Sequence, residues 1–353
     1  MSKPGRLGNP QETFMTDRRA DPRLAQALAA AAEMQAPLPV PPADASHEEK
    51  LAYCQAMEDQ FAMMNPMLEA AMPSYDHLSV HTQTITGLDG NEVDLYVHQP
   101  AEGTPPGPCV IHTHGGGMVL MTAQEPSFRR WRADLANAGL RVVGVEFRNG
   151  GGQLGNHPFP AGLNDCASAV NWVHENRAEL GVTAIVISGE SGGGNLSIAT
   201  TLKAHKEGWL DQIQGVYACC PYISGAYADP PAALVSLIEN NEYTLSCPQM
   251  AALVDVYDPT GEHANDPLAW PLAAQADDLA GLPPHVISVN ELDPLRDEGL
   301  EFYRKLNAAG VSATARTVHG TQHAGDLGFP DLAPDLYFET MGSLVRFAHR
   351  VAS

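Results

Sequence analysis

One stretch constrains the fold more than any other: Ala184-Ile185-Val186-Ile187-Ser188-Gly189-Glu190-Ser191-Gly192-Gly193-Gly194-Asn195-Leu196-Ser197-Ile198-Ala199. Its first residues are apolar and largely β-branched, which predicts a buried strand; its last are small and apolar at helical spacing, which predicts a helix. Between them lies Gly-x-Ser-x-Gly. A chain that turns from strand to helix within that motif must hold Ser191 in strained backbone, with Gly189 and Gly193 small enough to let the two elements approach. The hydroxyl is then raised at the end of a strand. The motif alone is built of common residues and occurs by chance in loops, so the flanking strand and helix supply its specificity.

The surrounding chain predicts an α/β protein with a mostly parallel central sheet, helices on both faces and a helical cap. From His77 a period-two pattern (Leu78, Val80, Thr82, Thr84, then Val93, Leu95, Val97) reads as two antiparallel strands joined through Gly87–Asn91. Strands then alternate with helices: Cys109–His114, a helix over Arg129–Ala138, Val142–Phe147, a helix over Leu163–Leu180, and the elbow. That alternation builds a parallel sheet, whose strand C-termini are where sites assemble. Val216–Cys220 adds a strand. Tyr222–Pro284 is rich in Pro, Gly, Asn and Asp and reads as an insertion with helical pieces at Ala232–Ile238 and Pro248–Val256. The strand His285–Asn290, a helix over Leu295–Ala309, the strand Ser312–Val318 and a helix over Leu332–Val351 close the chain. Helices are expected earlier over Asp21–Gln35 and Ser46–Met67, laid over the core. The expected division is residues 1–75 as the N-terminal part of the cap, 76–221 and 281–353 as core, and 222–280 as the cap insertion.

Composition excludes several classes of function. Twenty Lys and Arg stand against 42 Asp and Glu, a net charge of −22, which repels nucleic-acid phosphates and anionic lipid surfaces alike. Neither a nucleic-acid nor a membrane partner is expected, and salt adaptation of the surface is one reading of the acidity. The N-terminus carries no apolar leader and no apolar run reaches membrane-spanning length, so a cytoplasmic protein is expected. The six cysteines lack C-x-x-C spacing and read as buried thiols rather than a disulfide framework or zinc site.

Serine is a weak nucleophile without a base and a carboxylate to orient that base, and in a sheet of this kind they follow in the order serine, acid, histidine. Asp293 lies just after the strand ending at Asn290, whereas Asp297 and Glu298 fall in the next helix, where they suit its positive end. His323 lies in the loop after the last strand, whereas His319 still belongs to that strand. Asp293 would hold Nδ1 of His323 while Nε2 takes the Ser191 proton and returns it to the leaving alcohol. His114-Gly115-Gly116-Gly117 follows another strand, and uncrowded backbone N–H groups are what a developing oxyanion requires. His112 and His114 lie on one face of a strand, but no third metal ligand stands at suitable spacing.

These segments, with Asp293-Pro294-Leu295-Arg296-Asp297-Glu298-Gly299 and His323, resemble the bacterial hormone-sensitive-lipase family of α/β-hydrolases. The likeness runs from residue 108 to the C-terminus and takes in Phe147-Arg148-Asn149, His157-Pro158-Phe159-Pro160, Pro221–Gly225 and Tyr257–Ala264. It implies the α/β-hydrolase fold, a carboxylic-ester hydrolase with a Ser191, His323 and Asp293 triad, and an oxyanion hole from the amides of Gly116, Gly117 and Gly192. It implies no cofactor, a small-molecule ester as partner, and a homodimer through the edge of the last strand. One departure is Ala324-Gly325 after the histidine, where many members carry Gly-Phe, which alters the pocket wall. The expected activity is hydrolysis of short- to medium-chain esters through an acyl-enzyme. A lactonase or amidase could use the same triad, and a ligand-binding protein could keep the fold without the chemistry.

Overall fold

The computed structural model describes residues 3–34 and 37–353, so Met1, Ser2 and the expected end of the first helix at Gln35 lie outside the described residues. In chain order the elements are α1 (Pro22–Met34), α2 (His47–Ala62), α3 (Asn65–Ala70), β1 (Ser79–Thr86), β2 (Glu92–Gln99), β3 (Gly107–Thr113) and α4 (Pro126–Asn137). Then come β4 (Arg141–Val145), α5 (Ala161–Glu175), α6 (Arg177–Leu180), β5 (Val182–Glu190), α7 (Gly192–Glu207), β6 (Gly215–Cys219), α8 (Ser236–Glu239) and α9 (Cys247–Tyr257). The chain closes with α10 (Ala276–Leu279), β7 (His285–Asn290), α11 (Arg296–Ala308), β8 (Ala313–Val318) and α12 (Pro334–Val351).

The eight strands form one sheet in the order β1-β2-β4-β3-β5-β6-β7-β8. β1 pairs β2 and β2 pairs β4 antiparallel, and every later pairing is parallel. β5, which ends in the elbow, lies inside the sheet between β3 and β6. Alternate residues of the central strands face opposite layers. Ile185 and Ile187 of β5 join Leu163, Val170 and Val173 of α5, whereas Val186 joins Trp131 of α4 and Leu344 and Phe347 of α12. Burial on both faces is why these strands read as apolar runs rather than alternating ones.

The helical piece expected over Ala232–Ile238 is only the short α8, and three other elements differ from the sequence expectation, each for a local reason. The helix expected over Ser46–Met67 breaks at Met63–Met64 because Pro66 sits in the first turn of α3 and cannot continue a ladder from α2. The helix expected to reach Leu180 breaks at Asn176, whose side-chain amide takes the Trp172 carbonyl at 2.8 Å. His319 is not in the last strand: β8 stops at Val318, and the His319 ring points outward, 3.0 Å from Glu291.

The stretch between β6 and β7 holds an aromatic cluster: Tyr222 stacks on Tyr227 at 4.7 Å and meets Trp270 edge-on, and Trp270 meets Tyr257 likewise. α2 and α9 lie against each other, tied by Lys50 to Asp255 at 2.6 Å. Among the described residues no helix is long and apolar enough to cross a membrane.

Candidate active site

Ser191 stands at φ 56° and ψ −119°, between the last residue of β5 and the first of α7. An L-residue pays for that conformation in strain, and close packing on both sides imposes it. A Cβ at Gly193 would lie 1.8 Å from the Thr113 carbonyl oxygen, and one at Gly189 would lie 2.2 Å from the same atom, so only glycine lets β5 and α7 meet β3 here. The elbow is fastened from both sides. Ser191 N–H donates to the Cys219 carbonyl at 2.9 Å, and Tyr222 N–H donates to the Ser191 carbonyl at 3.1 Å.

The glycine loop after β3 folds onto the start of α7. A Cβ at Gly192 would fall 2.7 Å from the Gly117 nitrogen and 2.6 Å from that of Met118, so these backbones are in direct contact. Gly116 turns the loop at φ 105°, where a side chain would collide with the Leu120 carbonyl. Glu190, the residue before the serine, braces this loop: Oε1 accepts the Gly115 N–H at 2.8 Å and Oε2 meets His112 Nε2 at 3.1 Å. Burial pushes the Glu190 carboxyl up, but His112 and the Gly115 N–H outweigh it and hold it below the usual glutamate range. No sequence signal had marked this brace, although a carboxylate next to an elbow serine facing a glycine loop is the pattern that could have.

Asp293 is fully buried in the loop between β7 and α11. Its Oδ2 lies 2.8 Å from His323 Nδ1, and its Oδ1 accepts the Leu295 N–H at 2.9 Å. Burial disfavours the imidazolium, but the Asp293 carboxylate and the neighbouring Cys220 outweigh it and raise the His323 pKa well above the ordinary histidine value. Acid and base are thus brought together. Among the described residues no hydrogen bond yet joins Ser191 Oγ to His323, a looseness common before substrate binds. Ala324, after the histidine, sits at φ 53° with its N–H on Asn290 Oδ1 at 3.2 Å, so this departure from Gly-Phe is accommodated with backbone strain.

His112 and His114 do not form a metal pair. His112 is committed to Glu190, while His114 stacks on Phe147 at 4.2 Å with Nδ1 on the Gly115 carbonyl, and burial pushes its pKa down to about 3. Among the described residues one set of three metal-type donors, Cys220, Asp293 and His323, lies within 4.8 Å of one another, but two of the three are already bonded to each other. Cys220 is a further residue the sequence left unmarked: it follows β6 at φ 34°, with its thiol beside the His323 ring. Glu298 falls in the first turn of α11 as expected, but its side chain is buried, accepts from Ile223 N–H at 2.7 Å and Tyr227 O–H at 2.9 Å, and is pushed up to about 8 by burial.

Comparison with known proteins identifies the fold and the family. Residues 110–326 match the model of a family described as having the α/β-hydrolase fold. The solved structure of brefeldin A esterase, described as a bacterial homologue of human hormone-sensitive lipase, is 45% identical with a TM-score of 0.95, covering 100% of this chain and 99% of that one. A structure of esterase Est22 is 38% identical at a TM-score of 0.84, covering 95% and 98%. Carboxylesterase NlhH of Mycobacterium tuberculosis is 33% identical over 243 residues, 67% of this chain and 72% of its own length. Strand order, elbow and these likenesses lead to one conclusion: the chain belongs to the bacterial hormone-sensitive-lipase family of α/β-hydrolases.

Proposed function

We propose that this chain is a carboxylic-ester hydrolase working through an acyl-enzyme on Ser191. Ser191 Oγ attacks the ester carbonyl while His323 Nε2 accepts its proton, and Asp293 holds Nδ1 and stabilises the imidazolium. The oxyanion is met by the N–H groups of Gly116, Gly117 and Gly192. His323 returns the proton to the departing alcohol, and a water then repeats the sequence on the acyl-enzyme, releasing acid and free serine. The observation that carries this reading is the pairing of a strained Ser191, packed on the Gly117 backbone, with a His323–Asp293 couple at 2.8 Å. The activities named for the relatives support it: carboxylesterase, arylesterase, and an Est22 structure with p-nitrophenol.

In this reading residues 1–75 and 222–280 contribute the cap, and α9 sets the depth of the chamber. Leu253 Cδ1 would lie 3.0 Å from a Cβ placed on Gly117, which puts that side chain over the glycine loop. Short to medium acyl chains are the proposed substrates.

The test is a pre-steady-state series of p-nitrophenyl esters, from acetate to palmitate, on the wild type and Ser191→Ala. A burst in the wild type, lost with turnover in Ser191→Ala, is expected; full hydrolysis by Ser191→Ala would overturn the assignment. Loss of turnover by roughly 10⁴-fold or more is the magnitude anticipated for removing such a nucleophile.

A further inference from the structure

We infer that the segment preceding α1 is a positioning element for the proposed acid and base, with Arg19 bracing the Asp293 loop through Glu239 and Asp21 bracing the His323 loop. This rests on the triad reading above. The sequence assigns residues 3–21 only to the N-terminal part of the cap, since they carry neither strand nor long helix. In the fold they run across the loops that end β7 and β8.

The contacts form a continuous chain. Arg19 donates from Nε and Nη2 to Asp17 at 3.0 and 2.7 Å and from Nη1 to Glu239. Glu239 is held on its other side by Arg296, whose Nη1 and Nη2 reach its two oxygens at 3.2 and 3.1 Å. Arg296 Nη1 also donates to the Glu291 carbonyl at 3.0 Å. The next residue, Asn240, donates from Nδ2 to the carbonyls of Asp293 and Glu291 at 3.0 and 3.2 Å. Glu239-Asn240 therefore grips both sides of the Asp293 turn, and Arg19 fixes where Glu239 stands.

The second loop is held independently. Asp21 N–H donates to the Gly320 carbonyl at 2.8 Å, and Gly320 N–H donates to Glu291 Oε2 at 3.0 Å. Beneath these polar contacts Phe14 and Leu24 are fully buried in a small cluster with Tyr243, Ala333 and Leu292, the residue directly before Asp293. Burial pushes the Glu239 carboxyl up, but Arg296 and Arg19 outweigh it and keep it ionised. A buried carboxylate between two fork-shaped guanidiniums has one favourable orientation, which gives the brace its directionality.

A merely structural strap would lower stability and leave catalysis alone, whereas a positioning role moves kcat and the pH profile. The titratable groups facing His323 are Asp293, from the loop after β7, and Cys220, from the end of β6. A loosened Asp293 holds the imidazolium less well, so the His323 pKa falls and the ascending limb of kcat/KM shifts to lower pH.

The experiment uses the full chain with Arg19→Met, Arg19→Lys, Glu239→Gln and the Arg19→Met/Glu239→Gln double variant. Arg19→Met and Glu239→Gln should each lower kcat about tenfold, within the hundredfold that about 1 Å of misplacement can bring, with KM held within about twofold. The double variant should be no worse than the poorer single, because both act through one path. Arg19→Lys should recover part of kcat, since it restores the charge but not the fork. If kcat and the pH limb stay at wild-type values while Tm falls, the segment is only a strap and the inference fails. Should Arg19→Met not fold, the isosteric Glu239→Gln carries the same test. Ser191→Ala, assayed alongside, separates the two failures: turnover by that variant sinks the triad reading, whereas its silence beside unaffected Arg19 and Glu239 variants sinks only the brace.

Discussion

Ser191, Asp293 and His323 were legible as candidates because chemistry restricts which residue types serve at a strand end, and spacing then leaves few choices. The residues that hold them were not. Glu190, Cys220, Glu239 and Glu298 come to their partners from distant parts of the chain, and a carboxylate in a sequence looks the same whether it is solvated or enclosed. Glu298 shows how much that difference matters. Its Oε1 accepts from Ile223 and Tyr227, while Oε2 is buried and, among the described residues, unpartnered. Burial raises its pKa to about 8, so the folded protein keeps a proton there that the unfolded chain sheds near its ordinary value of 4.5. The sign follows from linkage: stability from this group is complete below that ordinary value and is lost as pH rises through about 8. Urea unfolding of the wild type across this window should therefore show a decline, by at most about 1.4 kcal/mol per pH unit, that Glu298→Gln flattens. Parallel slopes in the two proteins would show that Glu298 is ionised in the native state.

At the level of elements, apolar periodicity located the strands of the sheet and the flanking long helices, because burial on both faces leaves an unmistakable run of β-branched residues. It misjudged where helices stop at Pro66 and Asn176, where one side chain overrides the pattern. It also gave the first residues of the chain no assignment beyond the cap, although Phe14 is as buried as any residue of the core. Under the proposed function, α9 is the element whose position most directly concerns substrates, because its Leu253 lies against the glycine loop. Leu253→Ala would remove the side chain that overlies Gly117 and so open space beside the glycine loop. The preferred p-nitrophenyl ester should shift to a longer acyl chain, while stability falls by about 2–5 kcal/mol as for other buried leucines. An unchanged chain-length optimum with the same loss of stability would place Leu253 outside the acyl pocket.

The whole molecule carries a charge of −22. Many of its arginines are committed to acids, as in Arg23 with Asp335, Arg130 with Asp331 and Arg148 with Asp89, and the remaining carboxylates repel one another across the surface. Exposed pairs of this sort are screened by solvent and contribute little, so the net repulsion dominates the response to salt. Raising NaCl from about 20 mM to about 300 mM shortens the screening length several-fold and should lift Tm by a few degrees. A steep fall instead would mean that the ion pairs outweigh the repulsion and would remove salt tolerance as a reading of the composition. The brace across the Asp293 and His323 loops has a different consequence, one of timing. Phe14 and Leu24 are made roughly 270–320 residues before their partners Leu292 and Ala333. At roughly 5–20 residues per second, the growing chain carries these two side chains without that cover for about 15–60 s. This segment must therefore be held soluble, by its charged neighbours or by a chaperone, until Leu292 and Ala333 have been made.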